Sequence, residues 1–122
     1  MVNDTLFETI AAGVDAEMQA IRKEQPEVAP IFWEIVDYQF GWDLPPDDLA
    51  GRKQISGKKV RPLLMALVAR AICGDYRHVL AAGAALELIH NFTLLHDDVM
   101  DKSLERRHRP AAWMRWGSSQ AI

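Results

Sequence analysis

The sequence predicts an all-α protein of one domain, residues 1–122. Three observations predict this class. Apolar residues recur at spacings of three and four, prolines and glycines fall between those stretches, and no useful length alternates between apolar and polar residues as a strand would. A chain of 122 residues with 49% hydrophobic content can bury a core. The charged content of 25% is not that of a disordered chain.

The first two helices are predicted from their apolar spacing and their boundaries. Cap-forming residues at positions 3–5 open the first helix, which ends before Pro26. Pro30 is well placed to open the second helix, and Gly41 closes it. The apolar positions of the first helix are Leu6, Ile10, Val14, Met18 and Ile21. We assign both helices to packing and no chemistry.

Three further helices are predicted after a long loop at residues 43–56, which two prolines and a glycine mark. A loop of this length in a compact domain is often functional. The third helix starts near residue 62 and runs to residue 72. Asp75 caps the fourth helix, and Arg109-Pro110 starts the fifth, which continues to the end of the sequence.

The net charge of −3 hides an asymmetry between the two parts of the chain. Residues 1–50 contain two basic and eleven acidic residues, whereas residues 51–122 contain twelve basic and six acidic ones. A basic region of this kind is typical of proteins that bind a polyanion. Nucleic acid is the obvious alternative, but the sequence has no helix-turn-helix, zinc-finger or aromatic-interleaved basic pattern. We therefore expect a small phosphate-bearing ligand and no nucleic acid.

Cellular location is predicted from cysteine usage and from the N-terminus. A single cysteine, Cys73, excludes an internal disulfide framework and fits a reducing cytosol, where we expect a buried structural thiol. The first ten residues lack the pattern of a secretory signal. The longest apolar run, residues 79–86, is far shorter than the roughly 20 residues of a membrane span. We expect a cytoplasmic protein without stable membrane insertion.

The central stretch of the chain is residues 87–101, ELIHNFTLLHDDVMD. In a helix, Asp97, Asp98 and Asp101 can gather on one side of one turn. Their mutual repulsion is relieved by a divalent cation, and oxygen ligands suit magnesium, which keeps positions open for phosphate oxygens. The alternative is a solvated acidic face at a helix end. His96 is adjacent but points elsewhere, and we expect it to have a supporting or packing role.

Basic residues flank this stretch on both sides. Gly57, Lys58 and Arg61 lie where a helix begins, and the N–H groups and dipole of a helix start favour an anion. His90 lies seven residues before Asp97, about two turns along the same face. Arg106 and Arg107 can clamp a phosphate with their bidentate guanidinium groups. Each of these residues could instead be ordinary solvated surface, core packing or a neutralising partner of nearby carboxylates.

In order and spacing, these segments resemble the trans-isoprenyl diphosphate synthase (polyprenyl synthetase) family, and the pattern is most similar to geranylgeranyl diphosphate synthases. The segments are SGKKVRP at 56–62, His90, DDVMD at 97–101 and RRHRP at 106–110. The resemblance implies an antiparallel helix bundle of the isoprenoid synthase type, with only the first five or so helices present. It also implies a magnesium-dependent prenyltransferase of isoprenoid biosynthesis, which condenses an allylic diphosphate with isopentenyl diphosphate.

The resemblance further implies a role for each matching residue. Asp97 and Asp101 would hold magnesium ions that bridge the diphosphate of the allylic substrate, and Asp98 would support them. Arg106 would contact the same diphosphate. The residues implied for isopentenyl diphosphate are Gly57, Lys58, Arg61, His90 and Arg107, with Gly57 allowing a close backbone approach.

Three positions bear on departures from the family motif and on product length. His108 stands where the family motif has glycine, which puts in doubt any tight turn that needs glycine there. Phe92 and Thr93 lie where a bulky residue limits the prenyl chain in this family. Simple packing of Phe92 in the core is an equally open interpretation.

Family members are more than twice as long and carry a second aspartate-rich motif, which is absent from these 122 residues. We expect a shortened N-terminal part of a synthase, inactive or very weak alone and prone to form homo-oligomers. In one alternative, two copies face their DDVMD motifs across a shared cavity. In another, the chain is a non-catalytic, half-size protein that binds prenyl diphosphate or lipid as an oligomer.

Overall fold

The computed structural model describes residues 4–25 and 29–122, so the predicted cap at Asn3 and the break at Pro26 lie outside the described residues. The fold class is all-α, as predicted. The helices are α1 (Asp4–Glu24), α2 (Pro30–Phe40), α3 (Leu49–Ser56), α4 (Val60–Cys73), α5 (Leu80–Asp101), α6 (Ala112–Trp116) and α7 (Ser118–Ala121). A two-residue strand β1 (Glu105–Arg106) pairs antiparallel with β2 (Arg109–Pro110).

The described residues form two compact units. The first comprises residues 4–25 and 59–90, and the second comprises residues 29–58 and 91–122. Helix α5 contributes its residues up to His90 to the first unit and its later residues to the second.

The first unit is built on the apolar face of α1. Ile10, Val14 and Met18 are buried at helical spacing, as the periodicity predicts, and α1 packs against α4. Gly83 of α5 lies so close to Pro62 that an added Cβ would be 3.0 Å from the proline Cβ. The opposite side of α4 exposes an apolar row at helical spacing, formed by Val60, Leu64, Val68 and Ile72.

The predicted long loop at residues 43–56 is wrong in its second half, which forms α3. The Asp48 side chain caps this helix by accepting a hydrogen bond from the Gly51 N–H at 3.0 Å. The Arg52 guanidinium donates to the carbonyl of Leu44 at 2.7 Å, which ties the new helix to the preceding turn. Sequence reasoning took Gly51 as a loop marker, although the structure places it inside the first helical turn.

The predicted fifth helix is also wrong at its start. Arg109 and Pro110 form strand β2, and the helical residues that follow are split into α6 and α7 at Gly117, which has φ 86°. The extended course of the chain is fixed by the Tyr38 hydroxyl, which donates to the Pro110 carbonyl at 2.7 Å. Cys73 corrects a further expectation because its thiol is exposed rather than buried.

Helix α5 carries the functional motif at its end. Three of its polar side chains, those of Glu87, Asn91 and Asp98, are almost fully buried. By length and mean hydropathy alone, the stretch Arg77–Asp101 could cross a membrane, a property that it shares with core helices of water-soluble proteins.

Candidate functional site

The three carboxylates at the end of α5 differ in their exposure to solvent. Asp98 is 1% exposed, whereas Asp97 and Asp101 are exposed. Across residues 4–25 and 29–122, no three His, Cys, Asp or Glu side chains are grouped so that they could hold a metal ion. This corrects the expectation that all three aspartates gather on one side. Residues 97, 98 and 101 lie within about 100° of one another around the helix, so burial, and not helical spacing, sets Asp98 apart from the other two.

Asp98 is paired with the first arginine of the RRHRP segment. The Arg106 guanidinium donates two hydrogen bonds to its carboxylate, Nη2 to Oδ1 at 2.6 Å and Nε to Oδ2 at 3.1 Å. These bonds raise the pKa of the Arg106 guanidinium, and the negative charges of Asp97 and Asp101 add to the effect. The pair holds Arg106 in a fixed orientation, so Asp98 supports a cationic group rather than standing open to a metal.

Asp97 and Asp101 are different because their carboxylates are uncommitted. Within the described part of the chain, neither makes a hydrogen bond or an ion pair. Magnesium is typically bound through one or two carboxylates, with substrate phosphates and water completing its coordination. Two exposed carboxylates four residues apart fit that requirement. The residues present are therefore suited to a magnesium ion that also binds a phosphate.

The turn between β1 and β2 forms without the glycine that the family motif places there. Arg107 has φ 51° and His108 has φ 66°, so both residues of this two-residue turn adopt the left-handed conformation. Such a turn normally uses asparagine and glycine. Each non-glycine residue in this conformation costs on the order of 1 kcal/mol, so contacts outside the turn must hold it.

Arg107 is held by the backbone of the second unit. Its Nη1 donates to the Ile55 carbonyl at 2.7 Å, and the Asn91 Oδ1 lies 3.4 Å away. An added Cβ at Gly57 would lie 2.9 Å from the Arg107 Nη2, and Gly57 has φ 80°. The structure thus gives a further reason for glycine at this position, because it makes room for the guanidinium. Lys58, the next residue, is exposed.

The first unit contains the other two predicted residues of this set. Arg61 Nη1 lies 2.9 Å from His90 Nε2, so the arginine donates and the imidazole accepts in its neutral form. The neighbouring Lys59 is 8% exposed, and its Nζ lies 3.8 Å from Asp15 Oδ1. Of the two lysines in the GKK segment, one is therefore buried against α1 and the other is on the surface.

An apolar cavity of about 410 Å³ lies within the second unit. Phe92 and Leu95 line it from α5, and Phe32 lines it from α2 with its ring centroid 6.1 Å from that of Phe92. His96 also lines it, with Nε2 at 3.1 Å from the Ile122 carbonyl oxygen. Thr93 is exposed and is not among the lining residues, so the two positions predicted to limit chain length face different surroundings.

Sequence reasoning missed a second arginine–aspartate pair beside the turn. Arg109 donates to both carboxylate oxygens of Asp43, at 3.0 and 2.6 Å, and its guanidinium lies over the Tyr38 ring. The signal in the sequence was a third arginine within the RRHRP segment. An acidic residue 66 positions earlier gave no indication that it would be its partner.

Comparison with known proteins places this sequence in a family. The sequence model of the polyprenyl synthetase family matches residues 51–122. A (2E,6E)-farnesyl diphosphate synthase of Mycobacterium tuberculosis is 36% identical over 104 residues, which cover 84% of this chain and 28% of the relative. A geranylgeranyl diphosphate synthase of the same species is 45% identical over 86 residues, covering 70% of this chain and 24% of the relative.

A third relative shows the same partial coverage. A geranylgeranyl diphosphate synthase of Methanosarcina mazei is 48% identical over 66 residues, which cover 54% of this chain and 20% of the relative. The chain thus spans between 20% and 28% of the length of these three curated relatives. With the family's sequence model matching more than half of its residues, the chain belongs to the polyprenyl synthetase family.

Proposed function

We propose that this chain supplies the diphosphate-binding helix of a prenyl diphosphate synthase, which condenses an allylic diphosphate with isopentenyl diphosphate. The observation that carries the proposal is the contrast within one helical turn. Asp97 and Asp101 are exposed and uncommitted, while Asp98 is buried and holds the Arg106 guanidinium. The names of the relatives, farnesyl and geranylgeranyl diphosphate synthases, support the same substrate class.

In this proposal Asp97 and Asp101 hold magnesium, which when bound neutralises the charge of the allylic diphosphate. Arg106 donates to the same diphosphate, since its fork is already oriented by Asp98. Fixed positive groups of this kind stabilise the negative charge that develops on a departing diphosphate. Cleavage of the allylic carbon–oxygen bond, with both electrons leaving on diphosphate, gives an allylic cation. The double bond of isopentenyl diphosphate attacks this cation, and the resulting carbocation loses a proton to form the product.

Each unit contains some of the residues that the family resemblance implies for isopentenyl diphosphate. In the first unit, the Arg61–His90 pair supplies guanidinium N–H donors at the start of α4. In the second unit, Arg107 lies against Gly57, and the exposed Lys58 follows it in the chain. Arginine forks and a lysine point charge together suit a diphosphate.

The cavity beside Phe92 supports a substrate that has an apolar tail. Its lining is mostly aliphatic and aromatic, so it would exclude water from a prenyl chain. We therefore propose that geranyl diphosphate binds more tightly than inorganic diphosphate, because only the former has a tail to bury. Equal affinities for the two ligands would contradict this part of the proposal.

Isothermal titration calorimetry tests the metal and diphosphate site directly. We expect inorganic diphosphate to bind only with Mg²⁺ present, and D97N and D101N each to weaken binding by about tenfold or more, since each removes one metal ligand. The matched control is D75N, which removes an exposed aspartate of the first unit and should leave binding unchanged.

Turnover of geranyl and isopentenyl diphosphates tests catalysis separately from binding. Product formation would support a synthase and count against the non-catalytic alternative. Magnesium-dependent binding without turnover is the result expected of a shortened synthase, because we expect this chain to be inactive or very weak alone. Diphosphate binding that needs no metal, or that survives both D97N and D101N, would overturn the proposed site.

A further inference from the structure

We propose that Arg109, together with Asp43 and Tyr38, is a positioning residue that fixes the turn carrying Arg106 and Arg107. This inference rests on the proposed function, because it concerns the two arginines assigned to the diphosphates. It adds a group that touches neither substrate, and we call the three residues the Arg109 clamp.

The clamp joins strand β2 to helix α2 and to the loop that follows that helix. Arg109 donates to Asp43 through both terminal nitrogens, Nη1 at 3.0 Å and Nη2 at 2.6 Å. Its guanidinium carbon lies 3.7 Å from the centroid of the Tyr38 ring, which is 6% exposed. The Tyr38 hydroxyl then donates to the Pro110 carbonyl at 2.7 Å. Both residues of β2 are thereby anchored to the same tyrosine.

The turn cannot hold its geometry alone. An isolated two-stranded ribbon is marginal in water, and this one has only two residue pairs and two non-glycine residues at positive φ. Arg106 and Arg109 are also directly opposite each other, and like charges in that position repel. Each cation has its own carboxylate, Asp98 for Arg106 and Asp43 for Arg109. Loss of Asp43 would leave the positive charge of Arg109 without a counter-ion, directly beside the positive charge of Arg106.

A bound diphosphate would leave the contacts of the Arg109 clamp intact, whereas it would compete with the other contacts that hold the turn. The guanidinium groups of Arg106 and Arg107, which Asp98 and the Ile55 carbonyl hold, are themselves proposed to contact diphosphates. A guanidinium group that turns toward a ligand would lose some of its hydrogen bonds to the protein. Arg109 is directed at Asp43 and Tyr38 instead, so its contacts stay in place with or without ligand. Groups held in advance in this way lose less on binding.

The test compares R109A and R109K with the parent protein by two measurements. The first is the affinity for inorganic diphosphate in the presence of Mg²⁺. The second is the position of the Arg106 and Arg107 Nε–H signals in ¹H–¹⁵N NMR spectra without ligand. For R109A we expect about a tenfold loss of affinity and displaced Nε–H signals, as for other residues that orient a binding group. R109K keeps the positive charge but not the planar guanidinium group. It should therefore retain part of the diphosphate affinity and show a smaller displacement of the Nε–H signals than R109A.

Two controls separate positioning from general stability. R77A removes an arginine of the first unit that also donates to both carboxylate oxygens of one aspartate, Asp75, through Nε and Nη2, and it should change neither measurement. I10A removes buried apolar volume from α1, away from both the clamp and the cavity, so it lowers stability without touching either. A loss of affinity in I10A as large as in R109A would overturn the inference.

The inference and the proposed function fail in different ways. Parent affinity together with unchanged Arg106 and Arg107 signals in R109A would overturn the clamp. Failure of the parent protein itself to bind magnesium and diphosphate would overturn the proposed function. The ligand-free NMR signals would still decide whether Arg109 positions the two arginines.

Discussion

Two arginine–aspartate pairs, each with two hydrogen bonds, lie at the two ends of helix α5, and we call each pair a fork. In the first, Arg77 binds the carboxylate of Asp75 two residues earlier, with side chains that are 79% and 43% exposed. In the second, Arg106 binds Asp98 eight residues earlier, with side chains that are 31% and 2% exposed. Both pairs are bidentate, and their shortest nitrogen–oxygen distances are 3.0 and 2.6 Å.

The difference in burial decides what each fork contributes. An exposed pair gains little over hydration of the separate ions, and it contributes little to the stability of the fold. A buried pair need not stabilise the fold more than apolar residues would, but removal of one partner leaves a charge without water or a counter-ion. The Asp98–Arg106 pair therefore fixes the orientation of the Arg106 guanidinium. The Asp75–Arg77 pair lies on the surface of a turn and contributes little to the structure around it.

The largest expected effect in this comparison is that of R106A. It leaves the Asp98 carboxylate buried and unpaired, and we expect a loss of about 3 kcal/mol in the free energy of unfolding. D98A leaves Arg106, which is one-third exposed and can reach water, so we expect about half that loss. Urea denaturation followed by circular dichroism measures both.

The double variant D98L/R106M provides the control for that prediction. Because it removes both charges and keeps apolar volume, we expect it to recover most of the stability lost in R106A. Equal losses in R106A and R77A would show that burial is not what distinguishes the two forks.

A smaller effect of opposite sign is expected from H108G at the turn beyond Arg106. Glycine relieves the left-handed conformation at φ 66° but gains freedom in the unfolded chain, so we expect a net gain of about 0.5 kcal/mol. The matched variant H108A keeps the Cβ and the strain, and thermal unfolding should rank it below H108G. If H108A were as stable as H108G, the turn would not be strained at this residue.

The main helices could be predicted from the sequence because their signals are local. Apolar spacing marks α1, and proline and glycine mark the two ends of α2. Local signals failed where a single residue was ambiguous. Gly51 was taken for a loop residue, because the cap that Asp48 provides outweighs the poor helix propensity of glycine.

The site was predictable in its residue types but not in its division of roles. The spacing of DDVMD allows three carboxylates on one side, and only the position of Arg106 decides that Asp98 turns inward. The pairing of Arg109 with Asp43 joins residues 66 apart, and no pattern within either segment encodes it. Long-range pairs of this kind depend on tertiary packing, which sequence spacing does not report.

The smallest expected effect belongs to the exposed fork, and it is best measured as a titration. Hydrogen bonds from Arg77 hold the pKa of the Asp75 carboxyl well below its ordinary value of 3.8. A depressed carboxyl pKa adds stability that is complete above the unfolded pKa and is lost as the pH falls through the folded one. We therefore expect R77A to raise the Asp75 pKa toward its ordinary value in ¹³C NMR titrations, while the unfolding midpoint at pH 7 falls only slightly because both groups are in water and solvent screens their interaction. A clear drop of that midpoint in R77A would mean that the first fork, like the second, supports structure beyond its own turn.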